Sequence, residues 1–272
     1  VVSSASPQLS AVVIAENEAP IIGRCLDALA FCDEIVLVDG GSTDLTIEIA
    51  REKGARIIEH SSLEEGIHFN KNLGADATRG DWILSIDADE VVSPELSIEI
   101  RAAILTGAAS CYRLPRRTWF LGRWIRHSGW WPGHVIRLWK RGATRWPLEV
   151  HGVPAESGAV GTLHEPLDHH SYLDLADWGR KVLHFSGCEA VERMARGAAP
   201  GRLELIVGLT LRPLAVFARK LFWTSGWRDG LHGLVIAGSA AFATWLRYAR
   251  LWEYNLTGKP PALGGRKGRD KE

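Results

Sequence analysis

The chain has 272 residues, 46% of them hydrophobic and 24% charged, which allows one domain with an appendage or two small domains and excludes a largely disordered chain. The formal net charge of +0 hides a division: residues 1–108 carry 19 Asp and Glu against 7 Lys and Arg, and residues 109–272 carry 13 against 25. An acidic half suits a cation and a basic half suits phosphates or an anionic membrane surface, with chance clustering of solvated charges as the alternative.

In chain order, Leu9 to Ala15 is a short apolar run rich in β-branched residues, which predicts a buried strand. Asn17 is placed to cap a following helix with Pro20 in its first turn, and Ile21, Ile22, Cys25, Leu26 and Leu29 give that helix an apolar face. A second strand, Glu34 to Val38, ends at Asp39. A turn through Gly40 and Gly41 leads to a helix from Thr46 to Lys53 that Gly54 stops, with Ser42 and Asp44 expected to cap it. Ala55 to Glu59 reads as a third strand, Asn70 to Ala77 as a helix and Trp82 to Ile86 as a fourth strand. Ser93 and Pro94 start a helix to about Leu105. Strands alternating with helices predict an α/β domain with a mostly parallel sheet, whose ligands sit beyond the carboxyl ends of the strands. Glu16, Asn17, Asp39 and Asp87 all fall at such ends.

From Tyr112 to Val150 the chain is rich in Arg and Trp, with strand-like pieces such as His134 to Trp139. Asp174 to Arg196 reads as a helix. Residues 203–252 hold two apolar segments broken by Pro213 and by Gly226 to Gly230, and the tail from Lys259 is basic and rich in Gly and Pro. Four cysteines, Cys25, Cys32, Cys111 and Cys188, lack metal-ligand spacing and are read as small buried side chains in a reducing compartment. Met194 is the sole methionine, and no charged-then-apolar leader opens the chain, so no secretory signal is expected.

The sharpest chemical signal is Asp87-Ala88-Asp89, two carboxylates at i and i+2 after an apolar strand. Such a pair can converge on a hard cation, Mg²⁺ or Mn²⁺, that bridges diphosphate oxygens and neutralises a departing nucleotide. Together, AVVIAENEA (11–19), EIVLVDGGSTDLTIEIAREKGARI (34–57), the Lys71-Asn72 helix and WILSIDADE (82–90) resemble family 2 glycosyltransferases of the GT-A, Rossmann-like fold. The later stretch RRTWFLGRWIRHSGWWP (116–132) resembles the branch that contains lipopolysaccharide core β-1,4-glucosyltransferases. The resemblance implies a UDP-sugar donor, UDP-glucose first. Ala15, Glu16 and the Asp39 carboxylate would hold the base, Lys71 and Asn72 the phosphates or ribose, Asp87 and Ala88 the donor, and Asp89, with Asp87, the metal. Asp39 as a plain turn cap and Lys71 as a solvated helix charge are the competing readings.

For the acceptor, transfer with inversion needs a base for the attacking hydroxyl. Relatives of that branch read Val-His-Glu where this chain has Val150-His151-Gly152, so Glu149 and His151 become the candidates, with Glu165 less favoured. His151 or His169 would alternatively complete the metal shell. Arg126, His127, Trp130 and Trp131, within a run that also holds Arg116, Arg117, Arg123, Trp119 and Trp124, suit an anionic glycolipid acceptor. A Trp-rich core with Arg stems laid over it is the alternative, and the acidic half argues against nucleic acid. Gly230 to Leu246 is free of Asp, Glu, Lys and Arg, and nearby Trp residues lie beside Arg and Lys, the texture of interfacial helices. This predicts a cytoplasmic enzyme peripheral to the inner face of the bacterial inner membrane, with a buried hairpin or a homo-oligomer contact as alternatives. The expected organisation is a nucleotide-sugar-binding part (1–110), an acceptor-binding part (111–200), a helical membrane-association region (201–258) and a basic tail (259–272). Transfer to a polyprenyl phosphate, or donor binding without catalysis, are the competing functions.

Overall fold

The computed structural model describes residues 6–61, 66–147, 154, 158–172, 174–197 and 200–259. The chain forms two compact units, one of Val1–Arg117 with Gly133–His169, the other of Thr118–Pro132 with His170–Glu272. The units interleave along the chain, whereas the segments expected from sequence run consecutively.

In the first unit, β1 (Leu9–Ala15), β2 (Glu34–Asp39), β3 (Arg56–Glu59) and β4 (Trp82–Asp87) alternate with helices α1 (Ala19–Asp27), α2 (Thr46–Glu52) and α3 (Ile67–Ala77). There follow β5 (Glu90–Val91), α4 (Pro94–Thr106), β6 (Cys111–Phe120), whose last residues pass into the second unit, and, after β7 (Arg123–Trp124), β8 (Gly133–Lys140). β9 (Val160–Thr162) and β10 (Leu167–Tyr172) complete the strands. Among the described residues the order is β3-β2-β1-β4-β8-β6-β10-β5, with β9 alongside β6. The apolar runs of β1, β2 and β4 pair in parallel, which explains why they are nearly continuous rather than alternating: both faces of such strands are covered. Leu9, Val13, Leu37, Leu84 and Ile86 are fully or almost fully buried and share one core with Ile22, Leu26 and Ile100 of α1 and α4. Gly74 of α3 lies so close to the sheet that a Cβ there would stand 2.4 Å from a Val12 methyl, so only glycine lets this helix seat.

Local signals were realised with some shifts. Ser93 caps α4 by accepting the Leu96 N–H at 3.1 Å, and Gly107 ends it at φ +57°. Asp44 accepts the Thr46 N–H at 3.0 Å at the start of α2. Asn17 does not cap α1. Glu18 occupies the N-cap position, while Asn17 adopts φ +56° and accepts the Thr43 N–H at 2.7 Å. Ser42 likewise does not cap α2 but accepts the Asn17 N–H at 2.8 Å, so the β1–α1 and β2–α2 loops are stitched together. α3 starts at Ile67, a turn before the expected Asn70.

In the second unit β7 pairs antiparallel with the end of β6, Trp119 opposite Trp124. The helices are α5 (Leu175–Ala195), capped by Asp174, α6 (Arg202–Leu209), α7 (Leu211–Ala218) and α8 (Leu231–Thr257). Pro213 lies in the first turn of α7. It has no N–H to donate back to Leu209, so the helix breaks at Thr210, before the proline rather than at it. A π-helical turn (Arg219–Trp223) and a 3₁₀ turn (Gly226–Asp229) join α7 to α8. Ala190, Leu205, Tyr248 and Leu251 form one core of this unit, and Phe120, Ile125 and Ile236 form another. Among the described residues no helix is long and apolar enough to cross a membrane. No cysteine is in a disulfide; Cys25 and Cys111 are buried, whereas Cys32 and Cys188 are only half-buried, short of the burial expected for all four.

Candidate active site

Strand register brings the site together. Ala15 pairs with Asp39 across β1 and β2, and Ile14 pairs with Asp87 across β1 and β4, so Ala15, Asp39 and Asp87 end at one edge of the sheet. Asp39 is 1% exposed. Its Oδ2 accepts the N–H groups of Gly41 (2.9 Å) and Ser42 (2.8 Å), which is the turn-capping role. Its other oxygen, Oδ1, is buried with no hydrogen-bond partner. Unpaired buried acceptors are costly, and an N–H donor from a ligand would relieve this one. The Ala15 carbonyl accepts the Gly40 N–H at 2.8 Å, and Glu16, half-buried, follows at the same edge.

At the end of β4, Asp87 is held by two cations. Lys71 Nζ stands 2.7 Å from Oδ1, and Arg137 Nη2 donates to Oδ2. The same Arg137 nitrogen lies 2.6 Å from Glu90 Oε1, and Glu90 Oε2 accepts the Asp87 N–H at 3.0 Å. Lys71, Arg137 and Glu90 are 4%, 3% and 0% exposed, so Lys71 is not a solvated helix charge. Burial would push the Asp87 carboxyl up, but Arg137 and Lys71 outweigh it and hold it well below the usual carboxylate range. Burial pulls the Lys71 ammonium down despite Asp87 beside it. Lys71 also lies 4.1 Å from the centre of the Trp146 ring. Asn72 exchanges two hydrogen bonds with the Trp146 main chain, at 2.8 and 2.9 Å, so its amide is committed to that segment.

Ala88 is buried in the core, and Asp89 is half-buried with its Oδ2 3.5 Å from His169 Nε2. His169 reaches this position because β10 pairs antiparallel with β5, placing it opposite Glu90. Among the described residues no three His, Cys, Asp or Glu side chains converge as a ready metal cage. The Asp89 carboxylate fits a cation that takes most of its ligands from diphosphate and water, as Mg²⁺ does, and the His169 imidazole stands beside it. Glu149, His151 and Gly152 lie outside the described residues. Glu165 is exposed, and its N–H donates to Glu99 Oε2 at 2.8 Å. A depression of about 550 Å³ lined by Pro7, Asp81, Trp82, Ile104, Lys140 and Arg141 lies at the opposite end of β4 and plays no part in this site.

Sequence reasoning missed Arg137 and Trp146. Arg137 carried a signal: it stands between Ile136 and Leu138 in an otherwise apolar strand segment, and a cation buried there requires an acidic partner.

The acceptor candidates belong to the second unit. Arg126 is exposed and its guanidinium lies over the Trp124 ring at 4.3 Å; Trp124 meets Trp131 edge to face at 5.3 Å. Trp130 packs against the Phe120–Ile125–Ile236 cluster, and so contributes to a core as well as to the surface. His127 is anchored by Asp229, which accepts its N–H and contacts its Nδ1, both at 3.0 Å. Arg117, in the first unit, is engaged by Asp168 at 2.7 Å.

The Glycosyl transferase family 2 profile matches residues 10–160. The chain belongs to this family and is a glycosyltransferase, and its α/β sheet is the GT-A arrangement expected from the sequence. Over 90% of its length it is 29% identical to the lipopolysaccharide core biosynthesis glycosyltransferase LpsC of Rhizobium meliloti, covering 92% of that protein. A PGL/p-HBAD biosynthesis glycosyltransferase of Mycobacterium tuberculosis is 38% identical over 94 residues, covering 32% of this chain and 37% of the relative. Among solved structures, S. aureus TarS is similar over 91% of this chain and 55% of its own, at 16% identity and a TM-score of 0.48. Glucosyl-3-phosphoglycerate synthase from Mycobacterium tuberculosis, crystallised with Mn²⁺, UDP and glucosyl-3-phosphoglycerate, is similar over 68% and 79%, at 19% identity and a TM-score of 0.46.

Proposed function

We propose that this glycosyltransferase is metal-dependent and inverting, and moves a hexose, with UDP-glucose as donor, onto a lipopolysaccharide-core or similar lipid-linked saccharide. The observation that carries this reading is the register of β1, β2 and β4, which aligns Asp39 with the Asp87–Asp89 turn. Asp39 Oδ1, a buried acceptor with no hydrogen-bond partner, would accept the imide N–H of a uracil, while the Asp89 carboxylate and His169 ring would hold Mg²⁺ or Mn²⁺ against the diphosphate. When bound, the cation neutralises charge on the departing nucleotide. Lys71 Nζ stands at the same strand ends, 2.7 Å from Asp87 Oδ1. The likeness to LpsC over nearly its whole length supports an anionic core saccharide as acceptor, with Arg126, His127, Trp130 and Trp131 as its contacts.

Titration of UDP, GDP and ADP with and without Mn²⁺ tests this reading. UDP is expected to bind most tightly, and chelation to abolish both its binding and sugar transfer. UDP binding no better than ADP, or transfer that survives exhaustive chelation, would overturn it.

We further propose that the second unit rests on the cytoplasmic face of the inner membrane. Between α7 and α8, Phe222, Trp223 (87% exposed), Trp227 and Leu231 stand out to solvent beside the exposed Arg219 and Arg228. Aromatic side chains flanked by Arg match an anionic lipid interface. The protein is expected to co-sediment with phosphatidylglycerol vesicles but not with phosphatidylcholine vesicles, and Trp223→Ser with Trp227→Ser to weaken that binding. Failure to bind either vesicle, or burial of these residues in a dimer, counts against the idea.

A further inference from the structure

The metal–diphosphate reading leaves open what fixes Asp89 in place. Ala88 and Asp89 form the turn between β4 and β5, and the residues on either side, Asp87 and Glu90, both carry carboxylates that meet one guanidinium. Arg137 arrives from β8, which runs antiparallel to β4 with Leu84 opposite Leu138. Its Nη2 bridges Asp87 Oδ2 and Glu90 Oε1, and Glu90 Oε2 closes the loop by accepting the Asp87 N–H. The turn is therefore clamped through both side chains and through its main chain. Lys71 occupies the other Asp87 oxygen, so two basic and two acidic side chains meet here, Lys71, Arg137 and Glu90 buried and Asp87 half-buried.

We propose that Arg137, backed by Glu90, is a positioning residue that staples the Ala88–Asp89 turn and sets where the Asp89 carboxylate meets a cation; this rests on the function proposed above. Both Asp87 oxygens face protein cations, whereas the Asp89 carboxylate faces His169, 3.5 Å away. A planar guanidinium suits the bridge because one nitrogen serves two carboxylates while the delocalised charge faces both. Lysine has a compact ammonium at the end of a shorter stem, so from the same place in β8 it does not reach both carboxylates. Supporting residues behind a metal ligand commonly change metal affinity by about 10–100-fold when replaced.

The test uses the full chain, with Mn²⁺ titrated calorimetrically in the presence of UDP. Arg137→Lys keeps a basic side chain at this position. The double variant Arg137→Met with Glu90→Gln removes both buried charges together, which guards against a chain that fails to fold because one carboxylate is left uncompensated. In both variants Mn²⁺ affinity is expected to fall by about 10–100-fold. In Arg137→Lys, raising Mn²⁺ restores most of kcat, an outcome that general loosening of the fold does not produce. Folded variants with wild-type Mn²⁺ affinity would refute the staple while leaving the metal reading intact. A wild-type protein that binds no Mn²⁺ with UDP would remove that reading, and the staple with it.

Discussion

Replacing Asp89 with alanine is expected to lower sugar transfer by about 10²–10³-fold or more, the scale on which electrostatic stabilisation of a developing charge is lost. The protein should stay folded. Asp89 is half-buried in a turn, and its contact to His169 is long, at 3.5 Å. The Arg137 bridge across the turn does not involve its side chain. The effect should fall chiefly on kcat and on the Mn²⁺ requirement, because the leaving nucleotide loses its counter-charge when the bond breaks. Asp87→Ala should behave differently. It removes the partner of two buried cations, and breaking a buried pair in this way costs about 3–5 kcal/mol of stability. Thermal unfolding of the two variants side by side, with transfer measured at saturating donor, separates the roles. An Asp89→Ala enzyme with near wild-type kcat would remove Asp89 from the metal site.

The sequence made the first four strands legible because β1, β2 and β4 are continuous apolar runs, a pattern that parallel pairing under helices demands. Their polar ends followed directly, so Asp39 and Asp87 were identifiable before any coordinates. Contacts between distant parts of the chain were less legible. Asn17 has the chemistry of a helix cap, but its partner Thr43 sits 26 residues away and the tertiary bond prevails over the local one. The Asn72 side chain and the Trp146 main chain are joined across 74 residues by two hydrogen bonds that no local pattern encodes. Arg137 sits in a strand that was visible in the sequence, at a bulge that was not. Which acidic residues balance it depends on β8 lying beside β4, and that pairing is a matter of topology. The interleaving of the two units is equally invisible, since Thr118–Pro132 belongs with helices that begin more than 40 residues later.

Asp39→Asn is the more discriminating test of donor choice. Two main-chain N–H groups, from Gly41 and Ser42, point at Oδ2. An asparagine in this place is held with its carbonyl oxygen toward those donors, because turning it round would set an NH₂ against two N–H groups. The NH₂ then occupies the position of Oδ1, where a buried acceptor stood. Against a uracil imide, donor meets donor, and a charge-assisted hydrogen bond worth about 1.5–3 kcal/mol is replaced by a repulsion. The Km for a UDP-sugar should rise by about 10–100-fold or more, with kcat much less affected, since the base lies away from the breaking bond. A cytosine ring presents an acceptor nitrogen where uracil has its N–H, so the variant should also lose much of its preference for UDP over CDP. Competition binding with the two diphosphates reads this directly. Equal UDP affinity in Asp39→Asn and wild type would mean that the base sits elsewhere, and Asp39 would then be a turn cap with a buried spare oxygen.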